Sequence, residues 1–178
     1  MAKEQLILSV QWVSDREVVV CQLFNRISRR PTVRTLFVLI SGLGDGGAWY
    51  ALIVALPFFY GPSGMATSFD MIKVGVVNLV LYKIIKQLTG RPRPCAISPN
   101  IDLGTAPLDQ YSFPSGHTMH AVAFSIAVTS HHADLAWVLV PLSSLIAFSR
   151  IVLGLHYPTD VIAVALVGGY VASILMTP

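Results

Sequence analysis

The sequence contains few charged side chains, since only 12% of its 178 residues are Asp, Glu, Lys or Arg. Soluble domains usually carry about a quarter. Hydrophobic residues make up 54% of the chain, and the formal net charge is only +3. This composition predicts an integral membrane protein. It argues against a nucleic-acid-binding surface, which needs a dense patch of basic residues.

Cysteine is also scarce, because Cys21 and Cys95 are the only two in the sequence. Two cysteines exclude a disulfide framework, and both are interpreted as incidental residues. The first 25 residues show no secretory signal, since charged side chains interrupt the apolar positions. With no internal repeat, the length is that of about one domain.

Residues 4–28 alternate apolar and charged positions at roughly helical spacing. This pattern predicts an amphipathic helix lying on the membrane surface. A helix packed against the rim of a helical bundle explains the pattern equally well. We therefore expect an amphipathic interfacial helix over residues 1–31 and a transmembrane domain over residues 32–178.

Four later segments are long and apolar enough, or nearly so, to cross a bilayer, which takes about 20 residues. They cover about 33–57, 69–89, 135–153 and 160–177. A fifth segment, about 116–132, is shorter and more polar, and we expect it to be buried within the bundle. The predicted fold is an all-α, polytopic membrane bundle of about five transmembrane helices, with turns at Gly61–Gly64 and His131–Asp134 and one long loop over residues 90–114.

Three polar clusters lie at the ends of these segments. They are Lys86-x6-Arg93-Pro94, Pro114-Ser115-Gly116-His117 and Ser149-Arg150-x5-His156-x3-Asp160. Because consecutive spans run in opposite directions, all three clusters fall on the same face of the membrane. That agreement predicts a shared site.

The first cluster supplies cationic side chains whose direction is restricted by the backbone. Each proline in Arg91-Pro92-Arg93-Pro94 biases the arginine before it towards an extended backbone. A guanidinium group matches pairs of phosphate oxygens, while Lys86 adds a point charge. Interfacial cations that reach lipid headgroups are the alternative interpretation.

The second cluster opens a helix, with Ser115 as a plausible N-cap. The exposed amides at that helix end favour an anion, and Gly116 allows it to approach the backbone. His117 would stand in the first turn, within reach of the anion. The alternative is a capped helix that carries a structural histidine.

The third cluster combines Arg150, His156 and Asp160. Pro158 is suited to begin the last span, so Asp160 would lie in its first turn and fold back on the imidazole of His156. A carboxylate on one ring nitrogen fixes the tautomer and leaves the other nitrogen as a nucleophile. A local salt bridge between Arg150 and Asp160 is the alternative.

Together the clusters predict phosphoryl transfer without a metal or another cofactor. His156 would attack phosphorus and form a phosphohistidine, His117 would protonate the leaving oxygen, and Asp160 would orient His156. A metal site on His117, His120, His156 and Asp160 is a poor alternative, because three cations crowd the same place. The phosphoryl oxygens would be held by Lys86, Arg93, Arg150 and the amides of Ser115 and Gly116.

In order and spacing, the three clusters resemble the signature of the type 2 phosphatidic acid phosphatase superfamily, which is matched at every position from 86 to 160. The resemblance implies a helical membrane bundle, metal-independent phosphatase chemistry and sensitivity to vanadate. It also implies that His156 is the nucleophile and His117 the acid. The chain departs from the commonest membrane members of the family in having five predicted spans.

The implied substrate is a membrane lipid phosphate, and the implied partner is the bilayer, with no nucleic acid. Candidates are phosphatidic acid, phosphatidylglycerol phosphate and polyprenyl phosphates or diphosphates. A phosphotransferase using the same histidine, or a carrier that binds headgroups, are alternatives. The oligomeric state is not readable from the sequence.

Most cations outside the clusters fall on the same face as the clusters, whereas Lys73 lies towards the other. The positive-inside rule therefore favours an active site at the cytoplasmic face of a multi-pass protein, which we expect in the bacterial inner membrane. The periplasmic face is the alternative, because many bacterial members of the family that the chain resembles work there.

One pattern remains outside these clusters. Gly42-x-Gly44-x-x-Gly47 matches a dinucleotide-binding fingerprint, but no strand precedes it, so close helix approach explains it better.

Asp45 lies near the middle of the first predicted span, at a depth similar to that of Asn78 in the second. A hydrogen bond between these two residues is a hypothesis.

Overall fold

The computed structural model describes residues 16–107 and 109–176, so the part of the predicted surface helix before residue 16 lies outside the described residues. Every regular element in the described part is a helix, which confirms the all-α class. A first helix, α1, covers residues 16–25. The main helices that follow are α2 (Pro31–Gly42), α3 (Gly47–Thr89), α4 (Pro94–Ile97), α5 (Gly116–Thr129), α6 (Ala136–Val152) and α7 (Pro158–Leu175).

Helix α3 is a hairpin of two arms, residues 47–60 and 62–89. The backbone leaves helical geometry at Gly61, where φ is 58° and ψ is −132°. The arms then run side by side, because Ser68 Oγ donates a hydrogen bond of 2.7 Å to the carbonyl of Ile53. The turn predicted at Gly61–Gly64 is therefore present, and a side chain at Gly64 would collide with the carbonyl of Leu56.

The predicted continuous span over residues 33–57 is wrong, because the helix breaks at residues 43–46 between α2 and α3. Glycine is frequent there, and Gly46 takes a φ of 108°, which strains any other residue. By length and hydropathy, α6 with its preceding turn and α7 can each cross a membrane. Helices α2 and α3, which are bent relative to each other at this break, add a third span only if the two helices are counted together as one span. The number of about five spans therefore remains a prediction.

Helix α5 is the centre of the bundle. Its buried positions include Met119, Phe124 and Val128, and they pack against both arms of α3 and against α6 and α7. Close packing on α7 depends on Gly168, since a Cβ there would lie 2.6 Å from the carbonyl oxygen of Met119. The prediction that this short segment is buried is thus confirmed.

Helix α1 packs against the loop that carries the first two polar clusters. The amide of Asn25 donates to the carbonyls of Asp102 at 2.8 Å and Val152 at 3.0 Å. Val19 and Leu23 face outwards and are exposed. The contact with the bundle is therefore observed, while a position at the membrane surface remains a prediction.

Candidate active site

The three polar clusters meet at one end of the bundle, around a cavity of about 580 Å³. Among the predicted site residues, five line this cavity, and they come from all three clusters. They are Arg93, Gly116, His117, Arg150 and His156. The other three predicted residues do not line the cavity but lie next to residues that do. They are Lys86, Ser115 and Asp160.

Arg93 faces His156 across the cavity wall. Its Nη1 donates to the carbonyl of Leu155 at 2.7 Å and lies 3.3 Å from Nε2 of His156. Because a guanidinium group only donates, Nε2 must be the accepting nitrogen, and the proton of the neutral ring is on Nδ1. The reactive lone pair of His156 therefore points at the cation cluster.

His156 is placed by the turn that follows α6. Gly154 adopts a φ of 72°, and the backbone N–H of His156 donates to the carbonyl of Arg150 at 3.1 Å. Burial lowers the pKa of His156 well below its usual range, and the charges of Arg150, Arg93 and Lys86 lower it further. The ring is therefore neutral at pH 7, which is the form that can attack phosphorus.

Asp160 lies beside His156 without a hydrogen bond to it. The distance from Nδ1 of His156 to Oδ2 of Asp160 is 3.9 Å, and Nδ1 has no hydrogen-bond partner among the described residues. The predicted proximity is present, but the expected direct bond is not. A water molecule or a small shift of the ring would be needed to connect them.

The carboxylate of Asp160 is fully buried and bonds to other groups. It accepts hydrogen bonds from Nη1 of Arg91 at 2.5 Å, from the backbone N–H of Tyr157 at 3.0 Å and from the hydroxyl of Ser112. The alternative salt bridge from Arg150 to Asp160 is wrong, because Arg91 is the partner. Both arginines of Arg91-Pro92-Arg93-Pro94 precede a proline, but only Arg93 belongs to the motif, so no sequence pattern singled out Arg91.

The guanidinium group of Arg150 is hydrogen-bonded to helix α2. Its Nη1 donates a hydrogen bond of 2.5 Å to the hydroxyl of Ser41, and its buried Nε has no hydrogen-bond partner in the described structure. The guanidinium group thus lines the cavity with donor capacity still available for an anion. No signal in the sequence pointed to Ser41, which lies 109 positions away.

The second cluster opens α5 as predicted, although its serine acts differently. Ser115 has the extended backbone of an N-cap, but its hydroxyl pairs with that of Thr118 at 3.1 Å and does not cap the helix. A Cβ at Gly116 would lie 3.1 Å from the ring of Tyr82, so the absence of a side chain keeps this helix end close to α3.

His117 pairs with Asp45. Its Nε2 lies 2.6 Å from Oδ1 of Asp45. The hypothesis that Asp45 bonds to Asn78 is wrong, because Asn78 donates to the carbonyl of Val74 within its own helix. The break between α2 and α3 moves Asp45 out of a regular span, so equal depth in the sequence was a misleading guide.

Asp109 occupies the centre of the cation cluster, and sequence reasoning missed it. Its Oδ1 lies 2.7 Å from Nζ of Lys86 and 2.8 Å from Nη2 of Arg93, and Oδ2 accepts from the hydroxyl of Tyr82 at 2.5 Å. Burial alone would raise the pKa of Asp109, but the hydrogen bonds and positive charges outweigh it and lower the pKa. An ionised carboxylate therefore contacts two cations that the sequence assigned to phosphate.

The possible metal site finds no support in these side chains. Among residues 16–107 and 109–176, no group of three His, Cys, Asp or Glu side chains converges in a way that could hold a metal ion. The cavity instead combines guanidinium groups, histidines and one helix end, which together suit an oxyanion.

Known proteins resemble this chain in sequence and in fold. The sequence model of the PAP2 superfamily matches residues 69–177. Undecaprenyl-diphosphatase BcrC of Bacillus subtilis is 37% identical over 99 residues, which cover 54% of this chain and 51% of that protein. The chain thus matches about half the length of this curated relative.

Two solved structures share the fold. Aquifex aeolicus LpxE is 28% identical, with a TM-score of 0.73 over 86% of this chain and 92% of that one. The transmembrane PAP2-type phosphatidylglycerolphosphate phosphatase of Bacillus subtilis is 23% identical, with a TM-score of 0.75 over 96% of this chain and 89% of that one. The second likeness bears on the fold alone.

The position of Asp109 predicts that it competes with anions for the cations. Replacing it with Asn removes the competing charge, and we expect orthovanadate, a phosphate mimic, to bind about threefold to tenfold more tightly, a change of about 1 kcal/mol. The affinity can be measured by calorimetry in detergent.

Asp102→Asn is the matched control, because it removes the same charge from the same loop at an exposed position that pairs only loosely with Arg29. Equal affinities in the two variants, or weaker binding in Asp109→Asn, would contradict the competition.

Proposed function

Because this chain belongs to the PAP2 superfamily, whose sequence model matches residues 69–177, we propose that it is an integral-membrane phosphatase that hydrolyses a lipid phosphate or diphosphate through a phosphohistidine. The observation that carries this proposal is the composition of one cavity, which is cationic at one end and apolar along the rest of its length.

The apolar part of the cavity is a groove between the two arms of α3. Its side chains include Tyr50 and Val54 on the first arm and Ile72, Val76 and Leu79 on the second. All five are at least 45% exposed, so the groove is open at the side of the bundle. A molecule with a phosphate head and a hydrocarbon tail fits this arrangement, with the tail remaining in contact with lipid.

The first chemical step forms the phosphohistidine. Nε2 of His156 attacks phosphorus in line, a P–N bond forms and the bond from phosphorus to the leaving oxygen breaks. His117 donates a proton to that oxygen. The non-bridging oxygens, where the negative charge resides, are stabilised by Lys86, Arg93, Arg150 and the amides of Ser115 and Gly116.

The second step releases phosphate. Water attacks phosphorus as His117 takes its proton, the P–N bond breaks and the electron pair returns to Nε2 of His156. Asp160, 3.9 Å from Nδ1, stabilises the positive ring electrostatically and is not itself protonated. Asp109 must move off the cations for the phosphoryl group to bind, because both use Lys86 and Arg93.

We take polyprenyl diphosphates as the first substrate class to test. A related protein is named undecaprenyl-diphosphatase, and an open lateral groove accommodates a tail of any length. Phosphatidic acid and phosphatidylglycerol phosphate remain candidates, because the cationic end recognises the phosphate they share with polyprenyl diphosphates.

The nucleophile is tested with His156→Ala. In detergent with EDTA present, we expect the unsubstituted protein to release phosphate from at least one of these lipids. The rate of phosphate release by the variant should be at least about 10⁴-fold lower, as expected when a nucleophile is removed. A phosphoenzyme that is trapped at alkaline pH and cleaved by acid should be absent from the variant.

Two results would count against the mechanism: phosphate release that stops with EDTA, or equal rates in the two proteins. Phosphate that appears on an added lipid or sugar acceptor in place of water would identify a phosphotransferase.

The groove is tested with Val76→Trp, since a bulky ring there would fill part of the apolar groove. We expect kcat/KM for a polyprenyl diphosphate to fall about tenfold or more, a change of at least about 1.4 kcal/mol, while hydrolysis of a small soluble phosphate ester changes little. Val80→Trp is the control, because Val80 is similarly exposed on the same arm but does not line the cavity. Parallel losses on both substrates would show that Val76 does not contact the lipid tail.

We also propose about five spans in the bacterial inner membrane, with the active site at the cytoplasmic face. Arg34 bonds to the carbonyls of Leu103 and Gly104 at the active-site end, where Arg29 pairs with Asp102, whereas Lys73 pairs with Asp70 away from that end. The positive-inside rule favours the cytoplasm for the end with more cations.

Helix α7 begins at the active-site end, so its far end should lie in the periplasm. Alkaline phosphatase fused to the C-terminal residue is expected to be active, and a fusion within the loop after Gly90 is expected to be inactive. The reverse pattern would place the active site outside.

A further inference from the structure

Asp45 reaches the cavity because the first span is broken. Helix α2 ends at Gly42 and α3 begins at Gly47, and three of the four residues between them, 44–46, line the cavity. Gly44 lies against α5, since a Cβ there would be 2.8 Å from Cδ2 of His117 and 2.9 Å from Cγ2 of Ile146. The break therefore lets the backbone of the first span approach the first turn of α5.

The contact that results is short and directional. Oδ1 of Asp45 lies 2.6 Å from Nε2 of His117, and the imidazole is 92% shielded from solvent while the carboxylate is about half exposed. An ionised carboxylate only accepts, so Nε2 carries the proton of this bond. Nδ1 is then the ring nitrogen through which His117 exchanges a proton with a substrate.

The surrounding charges give the carboxylate a further effect. Arg150 and Arg93 line the same cavity, and their charges oppose a positive charge on His117. The protonated form is nevertheless the one that a general acid needs. Among the residues that line the cavity, Asp45 and Asp109 carry negative charge, and Asp109 is bonded to Lys86 and Arg93.

We propose that Asp45 is a positioning residue for His117, forming an Asp–His dyad that fixes the tautomer and supports the imidazolium that protonates the leaving oxygen. This inference rests on the proposed phosphatase activity. It assigns a role to a residue outside the matched region 69–177. In the step itself, the proton passes from Nδ1 of His117 to the leaving oxygen, and Asp45 remains ionised throughout.

The test compares two phosphate esters whose leaving groups differ in their need for a proton. An alkyl phosphate expels an alkoxide that must be protonated, whereas p-nitrophenyl phosphate expels a nitrophenolate that is stable without a proton. For Asp45→Asn we expect kcat/KM to fall about 100-fold for the alkyl ester, the lower range for general acid catalysis. The aryl ester should lose less than about threefold, because kcat/KM reports only steps up to the departure of the leaving group.

Three further measurements separate positioning from a structural role. KM for the alkyl ester should stay within about twofold while kcat falls, as for an interaction made only in the transition state. Adding Asp45→Asn to His117→Ala should cause no further loss, since the two residues act as one unit. Asp134→Asn is the control, because it removes the same charge from an exposed position next to Tyr60, outside the cavity lining.

Equal losses for the alkyl and aryl esters, at an unchanged melting temperature, would overturn the inference and leave the proposed function intact. An unsubstituted protein that hydrolyses neither ester nor any lipid would overturn both. If Asp45→Asn melts at a lower temperature, Asp45→Ser replaces it with the same expectations, because the smaller side chain fits a half-exposed position without strain.

Discussion

The rest of the site depends on the ion pair and hydrogen bonds that the buried carboxylate of Asp160 forms. Moving an ion of this kind out of water costs several kcal/mol unless charge and hydrogen bonds replace the lost hydration. Arg91, Ser112 and the N–H of Tyr157 supply them. These partners come from the loop before α4, the loop before α5 and the start of α7, so one carboxylate holds three segments together next to His156. Arg91 extends the network to Glu17 on α1 at 2.6 Å.

A second constraint is the repulsion between positive charges that lie close together. Lys86, Arg93 and Arg150 lie around one cavity end, and their mutual repulsion would open it if nothing opposed them. Asp109 bridges the first two, and the hydroxyl of Ser41 holds the third. The site thus keeps the geometry for an oxyanion by placing a carboxylate near where phosphoryl oxygens would lie. Asp109 itself lies on the loop between α4 and α5, while its partners Tyr82 and Lys86 lie on α3.

Sequence reasoning located this site because its motifs lie at the ends of helices. Once the spans alternate in direction, Arg93, His117 and His156 must meet, and the structure confirms that they do. The detailed pairing could not be predicted in the same way. Spacing placed Asp160 near His156, but a charged guanidinium group is a stronger partner for a buried carboxylate than a neutral imidazole, so Arg91 takes the bond. Asp45 was matched with Asn78 by depth in a continuous span, and that span is broken.

The residues that sequence reasoning missed have a common origin. Ser41, Asp45, Arg91 and Asp109 hold functional groups in place, and each is brought to the site by a tertiary approach that no local pattern encodes. Two of them, Ser41 and Asp45, come from the first span, which lies outside residues 69–177. In the proposed mechanism, the matched region supplies the groups that bind and attack phosphorus. In the same mechanism, the break after α2 supplies Asp45, the carboxylate that positions His117. This polar break would then belong to the active site as much as to the helical bundle.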